Sequence, residues 1–458
     1  MKLGCTAANA LAIGSALVWL VYGALGFTVL RPRTTIWFST AFAVFIAATA
    51  AAPYPLDFGS WRILSYAMLY NRLAWAALCL ASAGSLLQCR DESSPRDAPI
   101  ALGACATWLW AIKPNYLLIL FPLLLFSVCT TSSRGVWYRR AIASALIMLL
   151  GIWICVRFSP VGYVQTHFGM ARIAPSELLK YTLARSLGEN LWPVIGLLVL
   201  WSTVLTYIPM LPQRIHLSYT LGAVLVLTFV ANLANCQFSE FPLWGAFGWL
   251  AAIHATNFPP ATRIKQLVVI GGVAMGLTYT WQPLASIPYI FVWKQFRDPG
   301  SPPAIQVASR SWAGMPMRPI PGIPSRADTS LESAASYAAW LNDGLSLLTQ
   351  VRPPHGAVLC LDWANPYPLA TLTDPALGDE IAWHVGRTVG AAHHPAPQAI
   401  LATVTVVMEP RRSIQPESLD FKKTLFGPTL RAAFIVRAET EHWRAWVRRD
   451  LTISVGHE

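Results

Sequence analysis

Residues 8–30 run apolar without one charged side chain. Nine more uncharged stretches follow before residue 283: 36–52, 73–88, 100–112, 116–129, 141–156, 192–211, 217–234, 241–256 and 266–282. A helix needs about 20 apolar residues to cross a hydrocarbon core of about 30 Å. The first part of the chain is therefore expected to be an α-helical polytopic membrane domain of about ten segments. The pair 100–112 and 116–129 is split by Lys113-Pro114-Asn115 and reads either as two short spans or as a helix with a broken or re-entrant piece. Lys2 followed by an apolar run looks like a signal peptide. The run is too long for one, and the next helix begins a few residues later, so a retained span is expected.

Charge divides the chain in the same place. Residues 1–282 hold 18 Lys/Arg against 7 Asp/Glu, whereas residues 283–458 hold 16 against 15, so the net +12 belongs almost wholly to the apolar part. Only 12% of residues are charged, about half the usual share for a soluble domain. That excludes a disordered chain, a nucleic-acid-binding arm and an ordinary cytosolic enzyme, and no nucleic-acid partner is expected. Basic residues in alternate short loops give orientation. Arg31 and Arg33, Arg90 and Arg96, Arg134, Arg139 and Arg140, Arg214, and Arg263 with Lys265 fall on one side, which is read as cytoplasmic. The N-terminus, the 53–72 and 157–191 loops and everything after 282 then lie outside. An outside start on a chain opening Met1-Lys2 predicts that an odd number of N-terminal spans is absent from this sequence.

The expected domains are a transmembrane domain over 1–282, a Pro-rich linker over 283–329 and an external α/β domain over 330–458. In the last, the pattern predicts helix over Leu331–Leu348, strand over Ala357–Leu361 and helix over Leu377–Val389. Strands follow over Ile400–Met408 and Leu430–Val436, and a closing helix over Glu441–Arg449. The eight cysteines show no CxxC or Cys/His spacing and read as small buried hydrophobes, with structural zinc not expected.

Only seven acidic residues precede residue 283. Asp91, Glu92 and Asp97 share one cytoplasmic loop and read as solvated, while Asp57, Glu177, Glu189 and Glu240 fall outside. Ionisable groups near a membrane are costly and tend to be functional. Asp57, in Tyr54-Pro55-Leu56-Asp57-Phe58-Gly59, is a candidate base or metal ligand, or else a turn or cap residue. Glu240 sits in a polar knot, Asn235 to Pro242, and lines a cavity or only a short loop. Glu177 reads as a first-turn helix residue. Arg72 and Lys113 are candidates to hold a lipid phosphate at the interface, with snorkelling or helix termination as the alternative. His167 and Arg172 join them in the long external loop. Asp362, Asn365, His384, His393 and His394 invite a metal or hydrolase site, but no GxSxG, HExxH or glycine-rich phosphate loop accompanies them. Asp362-Trp363-Ala364-Asn365-Pro366 reads as a strand-to-turn junction.

The stretches Tyr70-Asn71-Arg72, Lys113-Pro114-Asn115-Tyr116, Asn235 to Pro242, Leu341-Asn342-Asp343-Gly344, Asp362 to Pro366 and Trp383-His384, set in this architecture, resemble membrane glycosyltransferases of the GT-C fold. The resemblance implies a bacterial inner-membrane protein that moves a sugar from a polyprenyl-phosphate donor to an acceptor on the periplasmic face. It implies a carboxylate base, Asp57 or Glu240, and Arg72 and Lys113 on the lipid phosphate. A divalent metal, magnesium or manganese, sometimes assists the leaving phosphate in such enzymes. The family places its acidic base in a loop after the first span, a loop this sequence lacks, so a truncated or degenerate relative is also implied. The rival expectation is a non-enzymatic membrane scaffold whose external domain binds a partner; a transporter is disfavoured by the near absence of charge within the spans.

Overall fold

The computed structural model describes residues 7–51, 69–87, 97–131, 133–156, 176–208, 211–234, 242–256, 263–296, 305–307, 310–312, 334–351, 356–368, 376–377, 379, 383, 385, 389–391, 394–413 and 415–452. The chain is mostly helical and ends in a small sheet. Two compact units divide it: one is made of 12–159 and 176–296, and the other of 297–458 together with 1–11 and 160–175.

The first unit is a helical bundle. Its described helices are α1 (Ala7–Leu30), α2 (Ile36–Ala51), α3 (Leu69–Leu86), α4 (Asp97–Ile112), α5 (Leu117–Thr130), α6 (Arg134–Val156), α7 (Ser176–Thr206), α8 (Leu211–Ala234), α9 (Pro242–Thr256) and α10 (Arg263–Phe296). Each apolar stretch of the sequence forms one of them, and the pair around Lys113 is two helices joined by a 3-10 turn, Pro114–Tyr116. Two helices outrun the hydropathy pattern. The stretch expected at 192–211 begins at Ser176 and continues through Pro193, and the one expected to close at 282 runs on to Phe296. The extension of α7, 176–191, is polar and carries no hydropathy signal, yet it continues a helix already nucleated by its apolar part, whereas that of α10 stays largely apolar through Pro283 and Pro288. Among the described residues, four helices contain segments long and apolar enough to cross a membrane: Ile13–Leu30, Arg134–Ile154, Pro212–Ala231 and Arg263–Ala285. Shorter apolar helices, such as Ile36–Ala51 and Ala98–Ile112, lie beside them.

Close backbone approach holds the bundle together. On α9 and α10, a Cβ at Gly272 would lie 2.5 Å from the Gly248 carbonyl oxygen and 2.9 Å from the Ala252 nitrogen. A Cβ at Gly276 would lie 2.5 Å from the Trp249 ring, and one at Gly245 would lie 2.6 Å from Tyr279 Cβ. Gly272 and Gly276 form a GxxxG pair, the spacing that lets apolar helices touch where no hydrophobic force separates helix from solvent. Side-chain hydrogen bonds add specificity. Tyr22 of α1 donates to the Leu73 carbonyl at 3.1 Å and accepts from Trp108 Nε1 at 2.9 Å, joining α1, α3 and α4. At the C-terminal end of α3, Arg33 Nε donates to the Leu87 carbonyl and His254 Nε2 sits 3.1 Å from that of Leu86. Such carbonyls lack a helical partner, and the Arg33 guanidinium suits that end of the dipole.

The second unit contains a hairpin, β1 (Ile305–Val307) with β2 (Arg310–Trp312), then α11 (Ala334–Val351), β3 (Ala357–Cys360), α12 (Pro397–Leu401), β4 (Val404–Pro410), α13 (Pro416–Ala433), β5 (Phe434–Glu439), β6 (Trp443–Arg448) and α14 (Arg449–Thr452). The main sheet has the order β3-β4-β6-β5, with β3 parallel to β4 and the other pairs antiparallel. On one face Trp340, Leu341, Leu345 and Leu348 of α11 meet Val358, Val406, Met408 and Ala445. On the other, Leu401 of α12 and Leu419, Phe426 and Leu430 of α13 meet Leu359, Val404 and Val407.

Four expectations for this unit need correction. The closing helix over Glu441–Arg449 is strand β6: Trp443, Ala445 and Val447 are buried while Arg444, Trp446 and Arg448 are half-buried, a period of two. The strand starts from a turn in which Thr440 N–H donates to the Trp443 carbonyl and Thr440 Oγ1 accepts from Trp443 N–H. The strand expected from Ile400 begins at Val404, because Pro397 opens the short helix α12 at its first turn. The strand expected from Leu430 begins at Phe434, where α13 ends. The described residues of 377–389 are not helical; Val385 instead bridges Val389. Of the cysteines, Cys79, Cys105 and Cys360 are buried free thiols, as read, whereas Cys129 is exposed.

Candidate functional site

Arg72 is a charged side chain fully removed from water. It lies in the first turn of α3, fully buried, beside buried Asn71. The N-terminal end of a helix is its positive pole and disfavours cations. Burial also rules out snorkelling, since the side chain does not reach the surface. What a positive pole and a buried cation share is attraction for an anion.

One turn further along α3, the buried Trp75 ring meets the buried Tyr116 ring at 4.6 Å between centroids. Tyr116 closes the 3-10 turn that Lys113 opens. Lys113 is extended, with φ −154° and ψ 76°, as a residue before proline is biased to be. Its N–H still reaches the Leu109 carbonyl at 2.7 Å, and its own carbonyl accepts from Tyr116 N–H at 2.9 Å. Lys113 Nζ is 5.9 Å from the Tyr116 ring centroid, within cation–π range. Asn115 Nδ2 donates to the Ala231 carbonyl of α8 at 3.4 Å, fixing the turn to a third helix. The structure thus brings Arg72 and Lys113 to one end of the bundle, joined through the Trp75–Tyr116 contact.

Asp57 and Glu240, with His167 and Arg172, lie outside the described residues. Helix α3 opens after the segment that carries Asp57, and α9 after the segment that carries Glu240. At that end of α9, Trp244 Nε1 donates to Asn190 Oδ1 at 3.1 Å. Glu177 is the second residue of α7, in its first turn as expected. Among the described residues no three His, Cys, Asp or Glu side chains gather as a metal site would require.

The polar motifs of the second unit find structural employment. Gly344 is needed because a Cβ there would lie 2.1 Å from the Tyr367 hydroxyl, and Asp343 accepts from Thr440 Oγ1 at 2.7 Å. Asp362 shapes a strand-to-turn junction, as its sequence suggested. It is buried, and its Oδ1 accepts from Trp363 N–H at 2.7 Å and from Ser413 Oγ. His384 and His393 are outside the described residues; His394 Nδ1 lies 3.1 Å from the Pro395 carbonyl. Sequence reasoning missed Lys422. This lysine is fully buried on α13, donates to the Cys360 carbonyl at 2.8 Å, lies 3.8 Å from Asp379 Oδ1 and stacks 4.5 Å from the Trp383 ring. The available signal was a charge on the buried stripe Ser418, Leu419, Lys422, Phe426, Leu430. Gly427-Pro428 broke that stripe in the sequence, although the helix passes through both.

Burial pushes the Asp362 carboxyl up from its usual range, the Ser413 and Trp363 hydrogen bonds opposing this. A raised acid favours the native state while protonated, and that contribution is lost as pH climbs through the raised value. Asp362→Asn keeps the acceptor oxygen and removes the titration. The unfolding temperature of this variant is expected to fall less than that of the wild type as pH rises from about 4, the ordinary carboxylate value. Parallel thermal curves for the two proteins would contradict this account of Asp362.

Comparison with protein-family models, curated proteins and solved structures finds no match to this chain.

Proposed function

We propose that the chain is a multi-pass membrane protein of about ten spans that binds a phosphate-bearing lipid at the Arg72–Lys113 end of its helical unit. The buried Arg72 at the positive pole of α3 carries this reading. The surface of the bundle supports its membrane setting. Ile147, Leu267, Ile270, Val199 and Val226 are all more than 60% exposed, and faces that apolar are not left to water. On α6, exposed Arg134 and Trp153 are separated by a rise of about 28 Å, and on α10 exposed Arg263 and Trp281 by about 27 Å. A basic residue at one interface and a tryptophan at the other suits a membrane of that thickness.

The activity we propose is GT-C-like glycosyl transfer on the extracytoplasmic face of a bacterial inner membrane, with a polyprenyl-phosphate sugar as donor. An acceptor hydroxyl attacks the anomeric carbon, the bond from that carbon to the phosphate oxygen breaks, and the hydroxyl proton passes to a carboxylate, for which Asp57 and Glu240 are the candidates. Arg72 and Lys113 hold the phosphate as it gains charge, where low dielectric strengthens the pairing.

Arg72→Met removes the charge and keeps the bulk. In full-length protein in lipid nanodiscs, polyprenyl-phosphate binding is expected to fall at least about 10-fold, the worth of one charge-assisted hydrogen bond or more. Arg72→Lys should retain part of it, and membrane insertion should be unchanged. Equal binding by wild type and Arg72→Met would remove the basis for this function.

A further inference from the structure

Several indole N–H groups in the helical unit have an acceptor. Trp108 Nε1 donates to the Tyr22 hydroxyl at 2.9 Å, Trp137 Nε1 to Ser127 Oγ at 3.0 Å and Trp244 Nε1 to Asn190 Oδ1 at 3.1 Å. Trp75, at the candidate site, does not: it is fully buried, and its Nε1 has no hydrogen-bond partner among the described residues. A donor left this way costs free energy, and a ring that served only to fill space on Tyr116 would need no N–H. Trp201 and Trp249 also leave theirs unpaired. Neither has a charged residue three or four positions away on its helix, whereas Trp75 has Arg72.

Residues three apart on a helix share a face, and helical side chains lean back towards the N-terminus. The Trp75 indole therefore leans over the turn that carries Arg72. From its other neighbour, the turn that carries Lys113, the Tyr116 ring packs against it at 43° between planes. A neutral, unpaired donor thus lies in the chain of contacts between two cations. A guanidinium fork takes two oxygens of an anion. A carboxylate or a phosphodiester has only two terminal oxygens to offer, whereas a phosphomonoester has three. One further single donor answers the third.

We infer that Trp75 is a specificity-determining residue of this site: its indole N–H donates to the third terminal oxygen of a phosphomonoester, so the site holds a lipid monophosphate more tightly than a lipid phosphodiester. This rests on the phosphate-binding role proposed above for Arg72 and Lys113. In the transfer proposed there, the third oxygen is the one that joins phosphorus to the sugar and keeps the bonding electrons when the sugar leaves. Trp75 then meets the charge that forms on it.

The test uses full-length protein in lipid nanodiscs and two probes, a polyprenyl monophosphate and its methyl phosphodiester, at about pH 8, where the monoester carries its second charge. Wild type is expected to bind the monoester at least about 10-fold more tightly than the diester. Trp75→Phe, which keeps a ring on Tyr116, should cut that ratio at least about fivefold and leave diester affinity within about twofold of wild type. Phenylalanine leaves part of the indole's space empty, so Trp75→benzothienylalanine, with sulfur in place of the N–H, must give the same result. Trp201→Phe should leave the ratio unchanged. A wild-type ratio kept by both Trp75 variants, with Arg72→Met binding neither probe, would overturn this inference and leave the phosphate site standing. The inference would also fall if wild type showed no preference for the monoester, or if Trp201→Phe lowered the ratio as much as Trp75→Phe. Wild-type protein that binds neither probe would overturn both readings, as would an Arg72→Met protein that binds them as wild type does.

Discussion

Gly272→Leu is expected to cost the full-length protein its thermal stability, by about 3 kcal/mol, the upper part of the range for overpacking. The reason is which atoms would be hit. The new Cβ would fall 2.5 Å from the Gly248 carbonyl oxygen and 2.9 Å from the Ala252 nitrogen, both backbone atoms of α9. A flexible side chain can move aside, whereas two helix backbones can only separate. Separation would also undo the neighbouring contact in which Trp249, itself nearly fully buried, lies over Gly276. Gly222 makes the comparison clean, since a Cβ there meets nothing within 4 Å. Gly222→Ala should be neutral or slightly stabilising, by up to about 1 kcal/mol of helix propensity. Thermal unfolding of both variants in one detergent, read by the loss of the monodisperse peak, separates them. A Gly272→Leu protein as stable as the wild type would mean that α9 and α10 are not in backbone contact.

The second large effect concerns the other unit. Lys422→Met is expected to destabilise it by about 3–5 kcal/mol, the cost of breaking a buried ion pair from one side. Asp379 would remain, 4% exposed and without its cation. Combining Lys422→Met with Asp379→Asn should restore most of the loss, because the penalty lies in the stranded charge rather than in missing attraction. Burial holds the Lys422 ammonium below its usual value, and Asp379 opposes that shift. A group depressed in this way favours the native state as a base, so its own contribution to stability rises with pH. Urea unfolding of the three proteins at one pH, followed by tryptophan fluorescence, gives the comparison. Equal stability of Lys422→Met and the double variant would show that Asp379 is not the partner that matters.

Much of the helical unit was legible because its outward-facing and core-facing residues are both apolar, so each helix announces itself as a run. The run fails at its ends: 176–191 extends α7 through a polar segment that hydropathy cannot see, and 283–296 extends α10 through an apolar segment interrupted by Pro283 and Pro288. The second unit was harder because its elements are short and half-buried. Trp443–Arg448 alternates Trp, Arg, Ala, Trp, Val, Arg, and two arginines with an alanine look helical until the alternate burial is known. Helix α13 was hidden by Gly427-Pro428, and with it the fully buried Lys422. Arg72 and Lys113 could be picked out as charges at the margins of apolar stretches. That one stack, Trp75 on Tyr116, would bring them to the same end of the bundle depends on contacts between helices, which no single sequence prints.

The central claim is that the Arg72–Lys113 end and the C-terminal unit lie on the outer side of a membrane. Reporter fusions at Lys2, Arg140 and the C-terminus test it most directly. The account predicts an external signal at the C-terminus and at Lys2 and a cytoplasmic one at Arg140. A cytoplasmic C-terminus would place the sheet domain, and the end of the bundle proposed to bind a polyprenyl phosphate, on the side where such transfer does not occur, and would contradict it.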